Sequence, residues 1–260
     1  FEAFIFDNTH VNISDFSNVQ FLINKYSISY SFSSSLILRK NVPKKSKIKV
    51  LSFVPFYEPK DAGFNTFSEL GGALNETHSI YKWFSGKRFE GPKATVEEFR
   101  KEILKTAIFH LAMHSYPDTN DSRYSYLQFW TADPTKKEGR LFNYEISLSE
   151  MNSPMVVLSA CNSGSGILYH GEGIVSLARG FILAGASSVV KTSWDINDEV
   201  SAEIVTRYYK KLSEGNSKDE SLRFAKLEYL KGSPPSYSHP YYWASYELVG
   251  DNSPLIGNDH

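Results

Sequence analysis

The chain has little cysteine: Cys161 is the single one among 260 residues. That count excludes an intrachain disulfide framework, a CxxC redox pair and any zinc site built on paired cysteines. Charge of one sign is also lacking. Lys and Arg total 28 against 29 Asp and Glu, a net charge of −1, so no global field draws the chain to nucleic acid or an anionic membrane. Long apolar runs are missing. The best, residues 180–190 between Arg179 and Lys191, is far short of the roughly 20 residues that span a bilayer. The opening FEAFIFDNTH has no basic start and no cleavage site, so no signal peptide is read in it; it also lacks an initiator methionine and reads as a piece of a longer product. A free thiol with no such signal points to the reducing cytoplasm. No P-loop, GxSxG elbow or HExxH occurs, and Gly164 and Gly166 fail as a dinucleotide fingerprint because position 169 is Tyr169.

Hydrophobic residues make up 41% of the chain and aromatics 15%. That is enough to bury a large core without metal or disulfide. Within residues 1–39, short apolar runs (IFD, VQFLI, YSISYSFSSSLIL) predict strands and a short helix. The following RKNVPKKSKIK is basic but short, contains a proline and lacks nearby stacking aromatics, so it reads as a solvated connector. Beyond it the pattern is α/β. Strands are expected at 48–56, 107–113, 154–160, 187–194 and 243–250, with a hairpin from 124–130 and 140–145. Helices are expected at 66–84, from a capping box at Thr95 and Glu98 to Lys105, at 172–184 with Gly185 as its C′ residue, and at about 198–213 and 217–231. Strands separated by helices predict a mostly parallel sheet covered on both faces. Functional groups then collect beyond the carboxyl ends of the strands, where His114, Cys161 and the pair Trp194 and Asp195 would share one edge.

Cys161 follows the apolar run VVLSA and precedes NSGSG. By itself it reads either as a small buried hydrophobe or as a nucleophile at a strand end. In the second reading, loop N–H groups face a developing oxyanion. His110 lies mid-strand and reads as a satisfied core histidine. His114 lies at the rim, 47 residues before Cys161, where an imidazole can favour the thiolate and protonate a leaving amine.

The ordered series AIFHLAMHS, VVLSACNSGSG and EGIVSLARGFILAGASSVVKTSWDINDEVSAEIVTRYYKKL resembles the CHAT family of caspase-like cysteine proteases. YSISYS, Leu70–Glu76 and HPYYWASYELVGD match as well, so the resemblance covers nearly the whole chain. It implies a caspase-like α/β fold, with His114 and Cys161 as the catalytic dyad and no metal or cofactor. The backbone N–H groups of residues 115 and 161 would form the oxyanion hole. The family places glycine after the histidine; here it is Ser115, for which a positive φ would be strained. The resemblance further implies a first specificity pocket lined by Ser159, Trp194, Asp195 and Asp198, with an expected preference for a basic residue; either Asp could instead cap the following helix. It implies residues 1–45 as the end of an N-terminal subregion, 46–250 as the catalytic domain and 251–260 as a tail, downstream of a tetratricopeptide-repeat region. The expected partners are a protein substrate, in bacterial-style regulated proteolysis or defence, and an activating partner or ligand; gasdermin-like pore formers and CRISPR-associated proteins are precedents. No direct nucleic-acid binding and no membrane span are expected. The competing reading is a latent or inactive caspase-like scaffold that acts by binding.

Overall fold

The computed structural model describes residues 2–5, 15–16, 19–33, 48–56, 71–118, 120–133, 136–159, 172–194 and 197–255. Its elements, in chain order, are β1 (Lys49–Val54), α1 (Gly71–Ile80), β2 (Gly86–Glu90), α2 (Val96–Glu102), β3 (Ala107–Leu111), β4 (Ser115–Tyr116), β5 (Tyr126–Gln128) and β6 (Arg140–Phe142). Next come α3 (Asn143–Leu148), β7 (Val156–Leu158), α4 (Glu172–Ala184), β8 (Ser188–Thr192), α5 (Asp198–Ser213), α6 (Lys218–Gly232), α7 (Pro240–Trp243) and β9 (Tyr246–Gly250).

Six strands form one sheet in the order β2-β1-β3-β7-β8-β9. Every neighbouring pair is parallel except β8 with β9. Strand order reverses between β1 and β3: the chain steps outward from β1 to β2, then returns past β1 to β3. This is the switch point at which open α/β sheets leave a crevice beyond their carboxyl ends. The sheet alternates as period-2 strands must. Leu51, Phe53, Phe109, Leu111, Val156, Leu158 and Val189 face one core, shared with Phe99 of α2 and Phe181 of α4. Val50, Ile108, Val157 and Val190 face the other, shared with Ile80 of α1, Tyr208 of α5 and Tyr229 of α6. In the first core Phe53 stacks on Phe89 with centroids 4.5 Å apart and meets Phe99 and Phe129 edge-on. Such aromatic pairs add to plain area burial.

Strands β4, β5 and β6 make a small antiparallel sheet. The expected hairpin is present but shorter. Asn143 starts a helix rather than extending the strand, because the Glu145 carboxylate accepts the Phe142 N–H at 3.0 Å and so caps that helix. Likewise Ser122–Tyr124 is a 3-10 turn, β3 stops at Leu111 and Trp243 ends a short helix. Strand β2 was not anticipated: GKRFE exposes its first three residues at the sheet edge and shows no apolar run. The N-terminal segment contributes a 3-10 turn, Leu22–Asn24, and single bridges from Ile5 to Phe21 and from Tyr30 to Val249. The helices at 172–184, 198–213 and 217–231 lie where periodicity put them, the last running one residue on to Gly232. Among the described residues no helix is long and apolar enough to cross a membrane.

Helix α4 ends in a Schellman arrangement. The Ala186 N–H reaches the Phe181 carbonyl at 3.0 Å and the Gly185 N–H reaches Ile182 at 3.2 Å. Gly185 has φ +116°, and a Cβ there would meet the Met151 carbonyl oxygen at 2.3 Å. Gly185→Ala is expected to cost about 2 kcal/mol or more in a denaturant melt, from the left-handed backbone and the clash together.

Candidate functional site

Both faces of the large sheet are covered, so polar chemistry has room only at strand ends. Past β3, the Ala112 N–H still bonds to the Phe53 carbonyl at 3.0 Å, which carries the chain along β1 to His114. His114 is buried, 6% exposed, and its ring meets Tyr116 edge-on at 6.5 Å. Past β7, the Ser159 N–H bonds to the Leu111 carbonyl at 3.0 Å. Ser159 and His114 therefore leave adjacent strands on the same edge, beside the switch point. Cys161 lies outside the described residues.

Ser115 pairs with Leu127 across β4 and β5. The Gln128 N–H bonds to the His114 carbonyl at 3.0 Å, which makes Ser115 and Leu127 a non-hydrogen-bonded pair. In such a pair the main-chain N–H turns away from the partner strand. The Ser115 N–H therefore points away from β5. No described residue other than glycine has a positive φ, so Ser115 holds this place without the strain expected of it. Its hydroxyl is buried and has no hydrogen-bond partner among the described residues.

Trp194 is fixed just past β8. Its indole N–H reaches the Tyr241 carbonyl at 2.8 Å, and the buried Ser245 hydroxyl donates to its carbonyl at 2.7 Å. Asp195 lies outside the described residues. Asp198 is the first residue of α5, but it is not the cap. Asn197 is, accepting from the Glu199 N–H at 2.9 Å and from Val200 at 3.2 Å. The Asp198 carboxyl is held above its ordinary range, first by partial burial and then by the negative charge of Glu76, against a lowering influence from His114. Asp198 can come this near Glu76 because α1 carries Gly72: a Cβ there would lie 2.7 Å from the Asp198 Cβ.

Beneath this edge runs a buried polar chain that sequence reasoning did not assign to the site. His110 is fully buried on β3. Its Nε2 lies 2.7 Å from the Glu76 Oε1 and its Nδ1 lies 3.2 Å from the Tyr209 hydroxyl. The Ser201 hydroxyl lies 3.4 Å from the Glu76 Oε2 and 2.7 Å from the Tyr246 hydroxyl, which in turn lies 3.4 Å from Ser159 Oγ. His110 is thus a core histidine with partners, as expected of it. The signal for Glu76 was in the sequence: an acid three residues after Ala73 and four before Ile80, on the apolar stripe of α1. Tyr246 and Ser201 carry no such signal, since their hydroxyls meet only through the fold. Among the described residues no group of three or more His, Cys, Asp or Glu side chains could hold a metal ion.

The fold is α/β with a mostly parallel sheet and polar groups at this edge, and comparison with known structures shows it to be caspase-like. The arginine-specific cysteine proteinase gingipain R superposes with a TM-score of 0.52 over 81% of this chain and 47% of that one, at 11% identity. Separase, in the Saccharomyces cerevisiae separase–securin complex, gives 0.53 over 86% of this chain and 14% of that one, at 14% identity. The CHAT domain family model matches residues 6–251, and the chain belongs to the CHAT family. Tetratricopeptide repeat protein 28 of Mus musculus is 34% identical over 109 residues, 40% of this chain, and its Homo sapiens counterpart 32% identical over 92 residues, 33% of this chain. The matched region spans only 4% of the length of either relative.

Removing one member of a buried pair strands the other, at a cost of about 3–5 kcal/mol. Glu76→Ala is expected to lose stability on that scale in a urea melt. Glu76→Ala combined with His110→Ala should lose clearly less than the sum of the two single losses.

Proposed function

We propose that the chain is a cysteine endopeptidase that cleaves a protein partner through a His114–Cys161 dyad. The observation that carries this reading is the placement of His114 at the switch-point edge, on the strand adjoining the one that runs toward Cys161, in a chain of the CHAT family. In the proposed reaction the Cys161 thiolate attacks the scissile carbonyl carbon. The oxyanion is held by the N–H groups of Ser115 and Cys161, the kind of donor worth about 3–4 kcal/mol in a hydrolase. The C–N bond breaks as His114 gives its proton to the departing amine, leaving a thioester. Water then adds to the thioester, the carboxylic acid leaves and the thiol is restored.

The first specificity pocket comprises Ser159, Trp194, Asp195 and Asp198, and it accepts a basic side chain. Support comes from Asn197, which caps α5 and leaves the Asp198 carboxylate available for another task. Residues 46–250 form the catalytic unit and 1–45 the end of a subregion before it. The likeness to tetratricopeptide repeat protein 28 supports a repeat region in the same longer product, with an activating partner or ligand acting on the unit in the cytoplasm.

Alkylation by an arginine-ended peptide chloromethyl ketone tests the dyad. Mass spectrometry should find the adduct on Cys161, and His114→Ala should slow its formation by about 100-fold or more. If Cys161 stays unmodified even with an activating partner present, the binding-scaffold reading takes its place. Cleavage profiling on a peptide library tests the pocket. Lys or Arg should dominate at the cleaved position, and Asp195→Ala with Asp198→Ala should erase that preference; a profile indifferent to basic residues sinks the pocket assignment.

A further inference from the structure

The small sheet next to His114 carries a row of aromatic rings on its outer face. Register sets Tyr116 opposite Tyr126 and Tyr126 opposite Phe142. The alternate positions, Ser115, Leu127 and Leu141, point inward and are buried. Tyr116 and Tyr126 stack with centroids 4.9 Å apart, and Phe142 follows at 5.5 Å. Tyr144 stacks on Phe142 at 5.6 Å and Tyr124 meets Tyr144 edge-on at 6.0 Å. The Arg140 guanidinium lies 4.9 Å from the Tyr126 ring centroid and supports the row from the side. The first three rings are half-buried, while Tyr144 and Tyr124 are 40% and 52% exposed. Five aromatic side chains at the surface in continuous ring-to-ring contact form a contiguous aromatic patch of the kind that marks a binding surface, not the scatter of single exposed hydrophobics.

We propose that this row is a docking track for an extended apolar or aromatic segment of the polypeptide substrate, on the amine side of the scissile bond. The assignment rests on the protease reading above. It follows from the proton's direction: His114 protonates the departing amine, so the substrate residues that leave with that amine lie on the His114 side. The track begins there, because His114 and Tyr116 are two residues apart with rings 6.5 Å apart, and it leads away across three strands. Rings already stacked on one another are preorganised, so binding orders little that was mobile. Substrates would thus be chosen by their downstream sequence as well as by the residue at the cleaved position.

The experiment uses internally quenched peptides that share one acyl side but carry Leu-Phe-Leu-Tyr or Gly-Ser-Gly-Ser downstream. It adds an arginine-ended aminocoumarin amide with no residue downstream. The wild type should favour the apolar peptide by about tenfold in kcat/KM. Tyr126→Ala should reduce that preference to about twofold or less, leaving the coumarin amide and Cys161 alkylation unchanged, while Tyr126→Phe retains it. Absence of the preference in the wild type, or its survival in Tyr126→Ala, overturns the track. The same peptides, fluorescein-labelled, are titrated by anisotropy onto Cys161→Ala with and without Tyr126→Ala, which reads the surface without turnover. Ring-dependent binding of the apolar peptide supports the track, and equal or absent binding overturns it. Failure of alkylation alone strikes the protease reading and leaves this binding result to decide the surface.

Discussion

A sheet covered on both faces must hide its main chain and nearly all its side chains, so its chemistry has to sit at the ends of its strands. That constraint organises this molecule. Apart from Ser52 and His110, the buried residues of β1, β3 and β7 are apolar on both sides because α1, α5 and α6 cover one face while α2 and α4 cover the other. Such a sheet leaves a crevice beyond its carboxyl edge, where the winding reverses between β1 and β3. His114 and Ser159 stand there because their strands are neighbours, and neighbouring strands in parallel register deliver their ends to one place.

The same constraint makes the one polar group inside β3 expensive. His110 is fully enclosed, and an imidazole in that position needs partners. Glu76 and Tyr209 supply them from the helices that cover the face. The chain continues through Ser201 to Tyr246 and Ser159. Support for the strand end at Ser159 thus comes from α1, α5 and β9 together. A second buried contact, between Lys226 and both Glu2 and the Tyr246 carbonyl, ties the N-terminal segment to the same tyrosine.

How much of this was legible varied with how local the cause was. The helix over Glu172–Ala184 and its glycine stop could be read directly, since periodicity and a left-handed C′ residue are properties of adjacent positions. The hairpin could be read as to its strands but not its end, because Asn143 turns helical through a carboxylate two residues further on. Strand β2 could not be read: GKRFE is held by main-chain pairing to β1, which leaves no mark on its side chains. At the site, His114 was legible as a polar residue after an apolar strand. For Asp198, the competing role as helix cap passes to its neighbour Asn197, a choice between adjacent polar residues that only backbone geometry makes.

By itself the sequence determined the class of fold, the family and the order of the chemical residues, because these follow from hydrophobic period, glycine placement and the succession of motifs. The tertiary structure alone decided which of those residues meet. Strand order puts the end of β7 beside β3, Gly72 lets α1 approach Asp198, and cross-strand register gathers Tyr116, Tyr126 and Phe142 into one row. Each of these depends on distances between residues far apart in the chain. Packing fixes such distances only once both faces of the sheet are covered.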